Sequence, residues 1–185
     1  MKLLSIDLDY ITNNQQNLDI YKKCLRWFDE SKDIIFIKSH HLILKYIDVA
    51  VDLYNIDHHH DINYDDINPF DKTTYREGDW IIKLIKHNLL KSYTWVHNFD
   101  SDLHYNHLNA VRNLKKFNYT TDLSIIDNIK FDRIVICESR THQTTSMMYE
   151  TLKSLSFYHH KKKVIEDNST NITNNTFSFN DAISQ

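Results

Sequence analysis

The side chains best suited to chemistry fall in short clusters of aspartate and histidine. The run Asp57-His58-His59-His60-Asp61 contains the pattern Asp-x-His-x-Asp. In an extended segment alternate residues share a side, so Asp57, His59 and Asp61 face one way and His58 and His60 the other. Carboxylates mixed with imidazole suit a divalent cation of the manganese, iron or zinc range. Asp7-Leu8-Asp9 adds a second acidic pair, able to supply the bridging carboxylates of a two-metal site. His40 and His41 are adjacent; one is expected to be a ligand while the other packs or faces water. Each cluster alone has a plainer reading, as a chance match or as carboxylates that solvate a strand end. Their shared position is what gives them weight.

That position comes from the elements around them. Residues 2–7 and 33–38 are apolar runs that predict strands, and 51–57, 92–97 and 131–138 predict three more. Leu18, Tyr21, Leu25 and Phe28 recur at spacings of three and four, predicting an amphipathic helix over 14–31. Further helices are expected over 41–50, 77–91 and 143–157, with a long polar loop over 61–75 and an ambiguous stretch over 100–127. Strands alternating with helices imply parallel crossovers, hence a single three-layer α/β/α domain with a mostly parallel sheet over residues 1–160. Residues 161–185 are rich in Asn, Ser and Thr and read as a polar C-terminal tail. In such a sheet ligands bind beyond the carboxyl ends of the strands. Those ends carry Asp7 and Asp9, His40 and His41, Asp57 to Asp61, His97 and Glu138. His97, Glu138 and His142 read first as structural or solvated groups.

Composition removes other classes. Lys and Arg number 22 against 25 Asp and Glu, a net charge of −3, which leaves no basic footprint for nucleic acid. No apolar run approaches the roughly 18 residues that span a bilayer, and the first residues make no secretory leader. Cys24 and Cys137 then read as reduced thiols of a cytoplasmic protein. The single Gly and single Pro compare with roughly 13 and 9 at average usage. Together with abundant Ile, Asn, Lys and Tyr this matches AT-rich codons, as in a low-GC bacterium or one of its phages. Asn must then take the left-handed turn positions that Gly usually fills.

Ser5-Ile6-Asp7-Leu8-Asp9 resembles the Ser-x-Asp-x-Asp motif of the arginase/ureohydrolase superfamily. Asp57 to Asn63 is similar to that superfamily's Asp-x-His-x-Asp-Ile-Asn segment, and His40 stands where a lone ligand histidine follows a strand. The order of motifs is closer to small arginase-like proteins related to peptide arginases, whose Gly-Asn-Trp is matched by Gly78-Asp79-Trp80. The chain is shorter than a full arginase, and Ser139-Arg140 replaces the usual Ser-Pro.

The resemblance implies a binuclear C–N hydrolase, with Asp7, Asp9, His40, Asp57, His59 and Asp61 as ligands of two Mn²⁺ ions, or of Fe²⁺ or Zn²⁺. Asp9 or Asp61 would handle the proton, and Glu138 would hold a guanidinium by a charge-assisted pair. The implied substrate is arginine in a peptide, or a small guanidino compound. Two other readings share these residues. Asp57-His58-His59 also matches the Asp-His-His motif of DHH phosphoesterases, in which His58 would be functional and Asp61 would matter little. A non-catalytic phage-type binding protein on the same scaffold is the third.

Overall fold

The computed structural model describes residues 1–30, 33–62, 77–103, 116–139, 143–158 and 163–166. The strands are β1 (Lys2–Asp7), β2 (Asp33–Ile37), β3 (Val51–Ile56), β4 (Leu90–Val96), β5 (Phe117–Thr120), β6 (Arg133–Cys137) and β7 (Lys163–Glu166). The α-helices are α1 (Asn14–Glu30), α2 (Trp80–Lys86) and α3 (Gln143–Tyr158). All seven strands form one sheet in the order β5-β4-β3-β1-β6-β2-β7, and every neighbouring pair is parallel. β1, β2 and β6 carry the continuous apolar runs, as strands covered on both faces must.

One face of the sheet packs on α1 and α3 through Ile20, Trp27, Phe28, Tyr149 and Leu152. The other packs on α2 and on a 3-10 segment, His40–Tyr46, through Leu42, Ile43, Trp80, Ile81 and Leu84. The molecule is therefore an α/β fold with helices on both sides of a parallel sheet. Cys24 and Cys137 are buried in opposite faces, too far apart in the layering to be partners.

The strand order explains where a site can form. From β1 the chain moves to β2 by way of α1 on one face. It then returns past β1 to β3 by way of the 3-10 segment on the other face. Right-handed crossovers running in opposite directions must lie on opposite faces, so the connections diverge at β1 and leave a crevice above its end. Asp7 ends β1, Asp57 follows β3 directly, and His40 reaches back from the segment that crosses the crevice.

Several elements differ from the expectations. The segment after β2 is a 3-10 helix that stops at Tyr46, where a longer helix over 41–50 was expected. α2 stops at Lys86, not Lys91, because Asn88 takes a left-handed conformation (φ 56°) and turns the chain into β4. β5 was not foreseen. The chain also returns to the sheet beyond residue 160, where β7 pairs with β2. The expected loop over 61–75 lies outside the described residues from 63 onward, as do His142 and residues 167–185. No helix among the described residues is long and apolar enough to cross a membrane.

Candidate metal centre

Six of the side chains named from the sequence converge above the ends of β1 and β3, and they form two groups that share Asp57. In the first, His40 Nδ1 lies 3.1 Å from Asp7 Oδ2, 3.1 Å from Asp57 Oδ2 and 2.9 Å from Asp61 Oδ2. In the second, His59 Nδ1 lies 2.9 Å from Asp9 Oδ2 and 3.9 Å from Asp57 Oδ1. Donor atoms of Asp7, His40 and Asp57 lie within 4.8 Å of one another, as do those of Asp9, Asp57 and His59. The two oxygens of Asp57 thus face different groups.

The first group fits a cation on its own chemistry. An imidazole nitrogen has at most one hydrogen to donate, yet three carboxylate oxygens surround His40 Nδ1 at hydrogen-bond distance. Asp7, Asp57 and Asp61 are all buried. Buried like charges of this kind are costly unless something positive compensates them. Burial, with the charges of Asp61, Asp9 and Asp7, pushes the Asp57 carboxyl well above its ordinary range. Burial and the neighbouring Asp9 push Asp7 up to about 6. Burial would lower His40, but the charge of Asp61 and the close carboxylates of Asp57, Asp61 and Asp7 carry it well above its ordinary value. The cluster attracts protons for the same reason it would attract a divalent ion. Its oxygen-rich, imidazole-containing donor set suits Mn²⁺, Fe²⁺ or Zn²⁺.

The second group is more open. The side chain of His59 is 36% exposed against 3% for His40. The hydrogen bond to Asp9 raises His59. Burial would raise Asp9, but the bond and charge of His59, with the backbone N–H of His58, bring it below the usual carboxylate range.

A ring of buried groups aims these donors. Asn55 Nδ2 donates to Asp57 Oδ2 at 3.1 Å, and the backbone N–H of His59 donates to Asp57 Oδ1 at 2.8 Å. Trp95 Nε1 donates to the Asp57 carbonyl at 3.0 Å. Ser5 Oγ and His40 Nε2 share a hydrogen bond of 2.6 Å. Tyr93 OH donates to the His60 carbonyl at 2.8 Å, and Trp80 Nε1 donates to Asp61 Oδ2. Asp61 itself has φ 54°, a left-handed conformation costing a non-glycine residue about 1 kcal/mol. Sequence reasoning passed over this ring. Ser5 and Asn55 stand two residues before Asp7 and Asp57, and strand alternation alone puts each pair on one side.

The remaining candidates lie elsewhere. His41 Nδ1 shares a 2.8 Å hydrogen bond with Ser39 Oγ, which leaves His40 as the histidine of the cluster. His58 turns toward Ser101 Oγ at 3.5 Å and Asp100 Oδ1 at 4.0 Å. His60 is buried against Trp95, and its Nδ1 accepts the Ile62 N–H at 3.0 Å. His97 also packs on Trp95, and its Nδ1 is bonded to the Asn98 carbonyl. Glu138 is not brought to the cluster. Its Oε2 pairs with Lys38 Nζ at 2.7 Å, and its Oε1 accepts from Ser146 Oγ at 2.7 Å. Comparison of the chain with protein-family models, curated proteins and solved structures found no match.

Proposed function

We propose that the protein is a binuclear metal-dependent hydrolase that cleaves a guanidino C–N bond, with arginine in a peptide or a small guanidino compound as substrate. The observation that carries this reading is the division of Asp57, one oxygen toward Asp7, His40 and Asp61 and the other toward Asp9 and His59. Asp7, His40, Asp57 and Asp61 would hold one ion, and Asp9, Asp57 and His59 the other. Two divalent ions so held supply Lewis acidity and make water nucleophilic near neutral pH. The chain's own part is to bind both ions beside a shared carboxylate and to manage the proton. Asp9 or Asp61 would take that proton. Water adds across the C–N bond, leaving urea and an ornithine side chain. The motif resemblance supports the guanidino substrate, and the outward turn of His58 favours it over the DHH phosphoesterase reading.

The test is metal analysis of the purified chain after Mn²⁺ loading, then urea release and mass spectrometry for ornithine in arginine-containing peptides. His58→Ala should keep its metal and activity, whereas His59→Ala should lose turnover. Phosphodiester cleavage without urea release, lost in His58→Ala and kept in Asp61→Asn, would overturn the reading.

A further inference from the structure

We propose that Trp80 is a positioning residue of this centre, its indole N–H fixing the Asp61 carboxylate while its ring backs the His40 imidazole. The inference rests on the metal-dependent reading above. Trp80 is fully buried at the start of α2, two residues after Gly78, the chain's only glycine. Its Nε1 donates to Asp61 Oδ2, the same oxygen that stands 2.9 Å from His40 Nδ1. Its ring lies 4.9 Å from the His40 ring, centroid to centroid, at an interplanar angle of 47°. The next residue completes the hold, since the Ile81 N–H donates to the Asp61 carbonyl at 3.2 Å.

Asp61 needs such a hold. A non-glycine residue at φ 54° keeps that conformation only where its surroundings fix it, and the start of α2 grips both its side chain and its carbonyl. Trp80 therefore orients two ligands of the buried group at once, one by hydrogen bond and one by contact. The other two tryptophans do not share this role. Trp95 donates to the backbone carbonyl of Asp57, and Trp27 lies in the opposite face of the sheet. Partners that orient metal ligands in this way typically change metal affinity by about 10- to 100-fold when removed.

Trp80→Phe keeps an aromatic ring and removes the N–H. Mn²⁺ titration of the full chain, followed by the electron paramagnetic resonance signal of free Mn²⁺, should show two bound ions in the parent. In Trp80→Phe one ion should weaken about 10-fold or more while the other keeps its affinity. Asp61→Asn should weaken that same ion. A folded Trp80→Phe that binds both ions like the parent, or loses both equally, overturns the inference. If the parent itself binds no divalent ion, the metal-dependent reading fails first, and that outcome is distinct. A second measurement serves if Trp80→Phe does not fold. In ¹⁵N-tryptophan-labelled parent protein, with indole signals assigned through Trp27→Phe and Trp95→Phe, Zn²⁺ should shift the Trp80 N–H and leave Trp27 in place. A Trp80 signal that stays still while Zn²⁺ binds overturns the inference equally.

Discussion

Asp57 and His59 should fail in different ways when replaced. Asp57 gives an oxygen to each donor group, so Asp57→Asn is expected to abolish both ions, measured as metal content after Mn²⁺ loading and desalting. His59 belongs to one group only, so His59→Ala should keep the buried ion and lose the exposed one. Retention of one equivalent by Asp57→Asn would show that the two groups do not share it. The pH dependence has a definite sign. With no ion bound, burial and Asp9 hold the folded-state Asp7 carboxyl at about 6 against 3.8, so the folded state binds the extra proton and loses stability as pH rises through that window. His40 and His59, both raised, add stability below about 6.5 that is lost as pH rises through their folded values, the same direction. Thermal unfolding without metal should therefore show a higher midpoint at pH 5 than at pH 7.5. Added Mn²⁺ should raise the midpoint strongly at pH 7.5 and little at pH 5, where it competes with protons. At this scale the converging carboxylates and imidazoles were legible because strand ends and alternation are local. The grip of Trp80 on Asp61 was not, because it joins residues 19 apart in the chain, a separation that no local pattern encodes.

Elements decide which strand-end groups can meet. Asp7 has the register and parity of Cys137, whereas Glu138 follows the alternation of Ile134 and Ile136 toward α1 and α3. There it meets Lys38, which lies over the Tyr149 ring at 4.4 Å, and Ser146 of α3. Glu138 is thus tied to the helix that packs on that face, and a change there should act on stability. Lys38→Met leaves a buried carboxylate short of its charge partner, at an expected cost of about 2 kcal/mol. Chemical denaturation should show the loss while metal content stays at the parent level; a drop in metal content would place Glu138 in the centre after all. Parity is readable from the sequence, and it sets Glu138 on the face opposite Asp7, in keeping with its reading as a structural group. The strands β1, β2 and β6 were legible from their apolar runs, and β3 from the apolar residues Val51, Leu53 and Ile56 within a short segment. β5 was not, because Phe117-Asn118-Tyr119-Thr120 is only four residues long, too short for its alternation to stand out. α2 was read too long because Leu89 and Leu90 continue its apolar spacing, and Asn88 makes the turn without the glycine that would have announced it.

At the scale of the whole molecule, the centre sits over the middle of the sheet while its two edges are protected differently. β5 closes one edge as a strand of only four residues, and a very short edge strand is a common way to blunt pairing with other chains. The other edge would be β2, were it not for β7. β2 reads Asp-Ile-Ile-Phe-Ile, with four successive apolar residues and strong β-propensity, the composition of an aggregation-prone segment. β7 pairs along it from Asp33↔Lys163 to Phe36↔Glu166 and occupies its free backbone groups. A boundary drawn at 160 from the polar composition after it misses this strand, because four residues of Lys-Val-Ile-Glu inside a polar stretch give too little periodicity to stand out. Two truncations separate the roles. A chain ending at Glu166 keeps the edge strand and should match the full chain in elution, unfolding midpoint and metal content. A chain ending at 162 bares β2 and should aggregate on concentration, seen by size exclusion and light scattering. Metal bound per molecule in its remaining soluble fraction should be unchanged, since neither donor group draws on the β7 edge. A chain ending at 162 that stays as soluble and as stable as the full chain would show that β2 needs no cover, and the protective role of β7 would fall.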